Sequence, residues 1–232
     1  MEPATLSPTP ILDHASPEVR EVAARIGASH PSPRDYVRAA HHHLAETMRP
    51  VYSLEERFPV SRILREAKGS CSQRMACLEG LARAHGIATR VRALFLVGKF
   101  WAPRLPLLRR FLPERTLMPW PEFQMDGEWV GFDEIFAPLP ELAAGASHRF
   151  TNRGVSMFEA VEKTPVDFFG KLRKAGSPRA ADFDLTEFVA EDGGLFSSRD
   201  EMFAQHNPDP SRMGLLFFNL VYGGRTIRRE PE

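Results

Sequence analysis

Lys68-Gly69-Ser70-Cys71-Ser72-Gln73-Arg74-Met75-Ala76-Cys77-Leu78, with the run that follows it to Arg92, decides how this chain is read. Ser70 is a strong N-cap, and Gln73, three residues on, completes an S-x-x-Q capping box. Cys71 is then the first helical residue. Met75, Leu78 and Ala82 carry one apolar stripe at helical spacing. Gly86 is a glycine stop of the kind that tolerates a left-handed backbone. Ile87, Val91, Ala93, Phe95 and Val97 then alternate as a strand does, with Leu94 and Leu96 on the other face. The expectation is loop, helix opening on a cysteine, turn, strand.

A cysteine in that place is chemically distinctive. Unpaired backbone N–H groups and the positive end of the helix dipole favour thiolate over thiol, and the thiolate is the nucleophile. The alternative is a small apolar residue buried at a helix start, as many inert cysteines are.

Working outward, Ser16-Pro17-Glu18 opens one helix with Val19, Val22, Ala23 and Ile26 to bury, and Ser32-Pro33-Arg34-Asp35 opens a second that runs to about Met48. On the second helix Tyr36, Ala40, His43 and Leu44 share a face. His41, His42 and His43 fan out by roughly 100° each, so they do not converge on a metal and read as a solvated or partly buried face. Val60 to Ala67 is a further short helix. Beyond the strand, Gly98 to Leu117 mixes arginines with bulky apolar residues. It reads either as a cover over a site or as a surface excursion. Asp126-Gly127 is the strongest hairpin signal in the chain. A two-residue loop there pairs Met125 with Glu128 and Gln124 with Trp129, and it brings Trp120 and Asp133 to one face. Met118 falls diagonal to Asp133. Pro119 and Pro121 argue for a bulge or an edge.

The segment from Cys71 to Arg90, with Gly86 fifteen residues after the cysteine, resembles the nucleophile segment of the transglutaminase-like superfamily. Met118-Pro119-Trp120-Pro121-Glu122-Phe123 and Gly127-Glu128-Trp129-Val130-Gly131-Phe132-Asp133 resemble that family's following strand pair. The resemblance covers roughly residues 30–136. It implies a papain-like thiol fold of class α+β, with N-terminal helices and a nucleophile helix packed on a small antiparallel sheet and a mostly helical C-terminal extension. The divisions implied are an irregular lead-in over 1–15, the core over 16–140 and an extension over 141–232. The family's nucleophile falls on Cys71 and its carboxylate on Asp133, while its histidine position falls on Met118, a thioether with no proton to carry. Met118, Trp120 and Glu122 are then expected to line a substrate site. The resemblance implies a thiol-dependent acyl-transfer or bond-cleaving enzyme acting on a small acyl or amino-acid-derived substrate, with an atypical triad. His148, Glu122, Glu134 or a substrate group would serve as acid or base, or an activated thioester would need little leaving-group protonation. The alternative is a catalytically silent binding domain, and a structural cysteine supporting a partner interaction is a third reading.

Composition bounds the rest. Lys+Arg and Asp+Glu are both 30, so net charge is zero and no nucleic-acid partner is expected. No apolar run is long enough to span a membrane, and no secretory leader precedes Ser16. Cys71 and Cys77 lie on different faces of one helix, which argues for free thiols and a cytoplasmic setting. No cofactor or metal is expected, and the partner expected is a small-molecule or peptide substrate. In the C-terminal third, Val155–Lys163, Asp167–Lys174 and Arg199–Gln205 read as helices. Phe183 to Val189 alternates acidic and apolar residues until Gly193-Gly194 breaks it. Met213–Tyr222 reads as a buried helix, and the tail from Arg225 reads as loose.

Overall fold

The computed structural model describes residues 6–53, 55–106, 110 and 112–206, so the Met213–Tyr222 run and the basic tail lie outside the described residues. Two helices, α1 (Pro17–Gly27) and α2 (Pro33–Thr47), each begin on a proline behind a serine. Ser32 Oγ accepts the Asp35 N–H at 3.2 Å, whereas Ser16 makes no capping bond through its side chain. Next come β1 (Arg49–Pro50), α3 (Val60–Glu66) and β2 (Lys68–Gly69), with β1 and β2 paired in parallel. The chain leaves α3 through Ala67 at φ 47° and enters α4 (Cys71–Ala84). Both halves of the capping box form: Gln73 N–H on Ser70 Oγ at 3.0 Å and Ser70 N–H on Gln73 Oε1 at 2.8 Å. Gly86, at φ 85°, turns the chain out of the helix.

β3 (Thr89–Val97) follows, then a 3-10 turn over Gly98–Trp101, β4 (Arg115–Met125) and β5 (Glu128–Gly131). The hairpin register is the expected one, Met125 opposite Glu128 and Gln124 opposite Trp129. Asp126 and Gly127 both have positive φ, at 54° and 85°, as a type I′ turn requires. β4 carries both prolines without a bulge. Gln124 donates its N–H toward β3, to Ala88 C=O at 2.9 Å. By alternation the nitrogens of Pro119 and Pro121 point the other way, and β5 has ended before it reaches them. The missing donors therefore face an open side and no ladder bond is lost.

After a 3-10 turn at Phe132–Glu134, short elements follow: α5 (Leu139–Gly145), α6 (Met157–Ala160), α7 (Lys171–Lys174) and α8 (Ala180–Phe183), then a 3-10 turn at Thr186–Phe188. Pro138-Leu139-Pro140, which reads as a connector, opens α5, with Pro140 in its first turn where its missing N–H is harmless. β6 (Val189–Phe196) and α9 (Arg199–His206) complete the described chain. β6 corrects the expectation of a break at Gly193-Gly194. Both glycines lie inside the strand, which pairs antiparallel with β3 through two register shifts. A Cβ at Gly193 would come within 2.9 Å of the Phe95 ring, and Gly194 sits at φ 92°. These glycines let an irregular edge strand lie close on its neighbour.

The fold class is α+β, as expected. The sheet order is β5-β4-β3-β6 among the described residues. α1, α2 and α3 pack around α4, and α4 packs on β4. Tyr36 of α2 donates to Leu81 C=O of α4 at 3.0 Å. Almost all of α4 from Ser72 to Arg83 is buried, so the helix that carries Cys71 is the axis of the core.

Candidate functional site

Cys71 is a half-buried free thiol at the first position of α4. Its surroundings come from segments distant in sequence. Arg74, one turn along the same face of α4, donates to both Glu159 oxygens and, at 2.7 Å, to Ser156 Oγ. Its guanidinium also lies 4.5 Å from the centre of the Phe158 ring. The Phe158 N–H donates to Ser156 Oγ at 3.2 Å. Arg104, from the Gly98–Leu117 excursion, donates to Asn152 Oδ1 and Val155 C=O, while Asn152 Nδ2 donates to Phe100 C=O at 2.7 Å. The described part of that excursion is therefore fastened to the stretch leading into α6, and together they cover the start of α4. Burial pushes the Cys71 thiol up to about 11, and the charges of Arg74 and Arg104 with the Phe158 N–H pull only part of the way back.

An imidazole meets Phe158. His41 of α2 is fully buried, the inner member of the solvated or partly buried face expected for the three histidines, and contacts Phe158 C=O through Nε2 at 2.5 Å. Its ring stacks on the Phe158 ring, with centroids 4.4 Å apart and planes 12° apart. Nδ1 is buried with no hydrogen-bond partner. Burial pushes His41 down to about 4, so it is neutral near pH 7. His42 is exposed and His43 half-buried, so the three rings fan out as expected. The usable signal for His41 was Val37, His41 and Leu44, at i, i+4 and i+7.

Asp133 is buried, and both its oxygens are occupied. Trp120 Nε1 donates to Oδ1 at 3.3 Å and Lys171 Nζ to Oδ2 at 2.8 Å. Lys171 also reaches Glu134 Oε2 at 2.7 Å. The pair passes so close to the main chain that a Cβ on Gly131 would fall 2.4 Å from Asp133 Oδ1 and 3.2 Å from Lys171 Nζ. Burial pushes the Asp133 carboxyl up against the pull of Lys171. Burial would lower Lys171, but the two carboxylates outweigh it and hold the ammonium above its usual range. Trp120 and Asp133 thus share a face as the hairpin register requires, but the carboxylate's charged partner is an amine supplied from α7.

Met118 is buried in β4 opposite Leu94. Glu122 is bound by Arg90 Nε at 2.7 Å and Arg92 Nε at 3.3 Å, so both its oxygens serve sheet-face ion pairs. Glu134 is taken by Lys171, and its Oε1 accepts the Leu139 N–H at 3.1 Å. His148 is exposed, bonded to Ser147 Oγ at 2.9 Å in a groove with Glu141 and Lys163. The principal neighbours of the thiol (Arg74, Glu159, Arg104, Phe158) and those of Asp133 (Lys171, Glu134, Trp120) do not overlap. A ring relay lies between them: Trp120 to Phe132 at 5.5 Å, then Phe132 to Phe158 at 5.7 Å.

Behind the capping box lies a second polar layer that the sequence reading missed. Glu56 accepts from Ser70 Oγ at 2.9 Å, and burial pushes its carboxyl up to about 7. Arg199 of α9 donates to Glu79 at 2.7 Å and to Ser72 Oγ at 3.0 Å, all within the core. Among the described residues no cluster of three or more His, Cys, Asp or Glu suits a metal ion, and no helix is long and apolar enough to cross a membrane.

The fold agrees with comparison to known proteins. Residues 20–134, about half of the chain, match the model of the transglutaminase-like superfamily, and the chain belongs to that superfamily. No curated protein matches the sequence. Among solved structures, a candidate protease from Parabacteroides distasonis is 14% identical over 49% of this chain and 22% of that one, with a TM-score of 0.36. The match spans about a fifth of that protein's length.

Proposed function

We propose that this chain is a transglutaminase-like thiol enzyme in which Cys71 takes up the acyl group of a small acyl or amino-acid-derived substrate, by transfer or bond cleavage, with an atypical triad. The observation that supports this reading is the set of groups around the sulfur. The open end of α4, the Phe158 N–H and the guanidinium groups of Arg74 and Arg104 all favour a negative sulfur, and a cysteine kept only for packing needs none of them. In the closed arrangement burial prevails. With the thiol at about 11, only about one molecule in ten thousand is thiolate at pH 7. The test is alkylation of Cys71 by iodoacetamide across pH, with peptide mapping to separate it from Cys77. Labelling that rises with pH and is blocked by a small acyl ligand supports the enzyme.

The second reading, a silent binding domain, is favoured by the Lys171–Asp133 pair. Asp133 already accepts from Trp120 Nε1 and pairs with the Lys171 ammonium, so its charge is met by an amine and not by an imidazole. Under that reading Cys71 stays inert at every pH at which the protein is folded.

A further inference from the structure

Resting on the thiol-enzyme reading above, we infer that the acyl substrate of Cys71 carries a free carboxylate, and that Arg104 is the residue that selects it. Arg104 is a buried cation, 9% exposed, and a guanidinium so placed is ordinarily paired with an anion. Here its two hydrogen bonds go to neutral oxygens, Asn152 Oδ1 and Val155 C=O. Among the described residues no carboxylate pairs with it, and its Nη1 has no acceptor. The only acid between Gly98 and Leu117 is Glu114, which is exposed. The other buried arginines differ. Arg74 meets Glu159, and Arg199 meets Glu79. Arg83 bonds no carboxylate, but four bonds to oxygen engage all three of its nitrogens. Among these four, Arg104 alone keeps both its charge and a nitrogen uncommitted. Asn152 keeps it so: the amide accepts from Arg104 and donates from Nδ2 to Phe100 C=O at 2.7 Å, and a carboxylate in its place would have no such donor.

Printed contacts carry this charge to the start of α4. Arg104 holds Val155, and Arg74 holds the next residue, Ser156, so two guanidinium groups from different elements meet one short stretch of chain. Arg74 in turn lies three residues from Cys71 on α4, which sets their Cβ atoms about 5–6 Å apart. The charge of Arg74 is met by Glu159, and its Nε is buried with no acceptor. Two cations and one carboxylate leave an excess of one positive charge, and the open end of α4 adds to it in the same sense. Both guanidinium charges also favour a negative sulfur. An acyl compound with a second, ionised carboxyl group answers that excess: its carboxylate meets Arg104 while its carbonyl carbon meets the sulfur. A neutral acyl compound would leave the excess in place, and a cationic one would add to it.

The test compares two reagents on the full chain: iodoacetate, which carries a carboxylate, and iodoacetamide, its neutral amide. The ratio of their rates at Cys71 cancels the thiolate fraction, which both reagents share, and reads the charge beside the sulfur. The reference is the same ratio at Cys71 in the urea-unfolded chain. In the folded protein the ratio should exceed the reference by about tenfold, and Arg104→Gln should return it to within about twofold of the reference. Arg104→Lys, which keeps the charge, should retain most of the preference. A folded ratio at or below the reference, or one that Arg104→Gln does not lower, or an equal loss in the lysine variant, overturns the inference and leaves the thiol-enzyme reading standing. A Cys71 that reacts with neither reagent, or only as fast as the whole protein unfolds, overturns that reading instead. Should Arg104→Gln fail to fold, protection of the wild-type protein decides. Succinate should slow iodoacetamide labelling of Cys71 where succinamide at the same concentration does not, and equal effects of the two refute the selection.

Discussion

Replacing Lys171 by methionine isolates the ion pair on Asp133. The substitution keeps the aliphatic stem and removes the ammonium that lies 2.8 Å from Oδ2. Breaking a fully buried pair costs ~3–5 kcal/mol, because the remaining charge is left in a poor dielectric. The Lys171 side chain is 32% exposed, so water already screens part of that interaction, and about 2 kcal/mol is the expected loss at pH 7.5. There is also a ceiling. A carboxyl of ordinary pKa can be neutralised at pH 7 for about 4 kcal/mol, and Asp133, already pushed up by burial, for less. The sign follows from the same titration. Without the amine, the folded-state pKa of Asp133 rises further above its unfolded value, so the folded variant holds its proton more tightly. The destabilisation should then be small near pH 4.5, grow as pH rises, and level off above the new folded pKa. Urea unfolding followed by tryptophan fluorescence at the two pH values measures it, since Trp120 itself touches Asp133. Asp133→Asn in the same chain should recover at least about 1 kcal/mol as coupling energy. A loss equal at both pH values and untouched by Asp133→Asn would refute the argument.

Glu56 gives the same sign in another place. Its carboxyl, raised to about 7 in the fold, contributes stability at low pH that is lost as pH climbs from about 4.5 to 7, so Glu56→Gln should stabilise the protein at pH 8 by about 1–2 kcal/mol and be neutral at pH 4.5 in thermal melts. Arg199→Met should cost about 3–5 kcal/mol in urea titrations by stranding Glu79, and Glu79→Leu in the same chain should return most of it, because an apolar pair of similar volume needs no desolvation. Met118→His alone should leave the Cys71 alkylation rate at pH 7 within about twofold of wild type, since Trp120 and Lys171 already hold the carboxylate that would orient the new ring; a large gain would show that Asp133 is free to exchange partners.

The elements that were legible in the sequence are those whose signals are local. The Ser70–Gln73 box, the Gly86 stop and the Asp126-Gly127 turn each act within a few residues, and each forms as expected. Pro119 and Pro121 were ambiguous because the pattern of residues does not say on which side β4 lacks a neighbour; the short β5 decides it. β6 was missed because Gly193-Gly194 reads as a breaker wherever the strand it must approach is unknown. His41 was not singled out as the buried one of the three histidines for a different reason. Its periodicity was apolar-like, but a polar ring is not expected in the core when the carbonyl that meets it lies 117 positions away. The partners of Arg74, Asp133 and Glu79 are likewise 85, 38 and 120 positions distant, and nothing in local spacing announces them.

Those three distant pairs share a direction. Each buried charge lies within residues 70–133, and each opposite charge comes from beyond residue 155. Removing the later segment would strand three ions at several kcal/mol each, which is on the order of a whole domain's stability of about 5–15 kcal/mol. The core and the stretch that follows it are therefore one cooperative unit. Within it α6 is held by the Arg74–Glu159 ion pair, by Ser156, by the His41 contact to Phe158 C=O and by the buried Met157 and Phe158 side chains, none of which involves Lys171 or Arg199. Alkylation of wild-type Cys71 tests whether that turn opens on its own. It should accelerate in urea well below the concentration that unfolds the protein, and Glu159→Gln should abolish that dependence. If the rate instead follows global unfolding in both proteins, α6 does not open on its own.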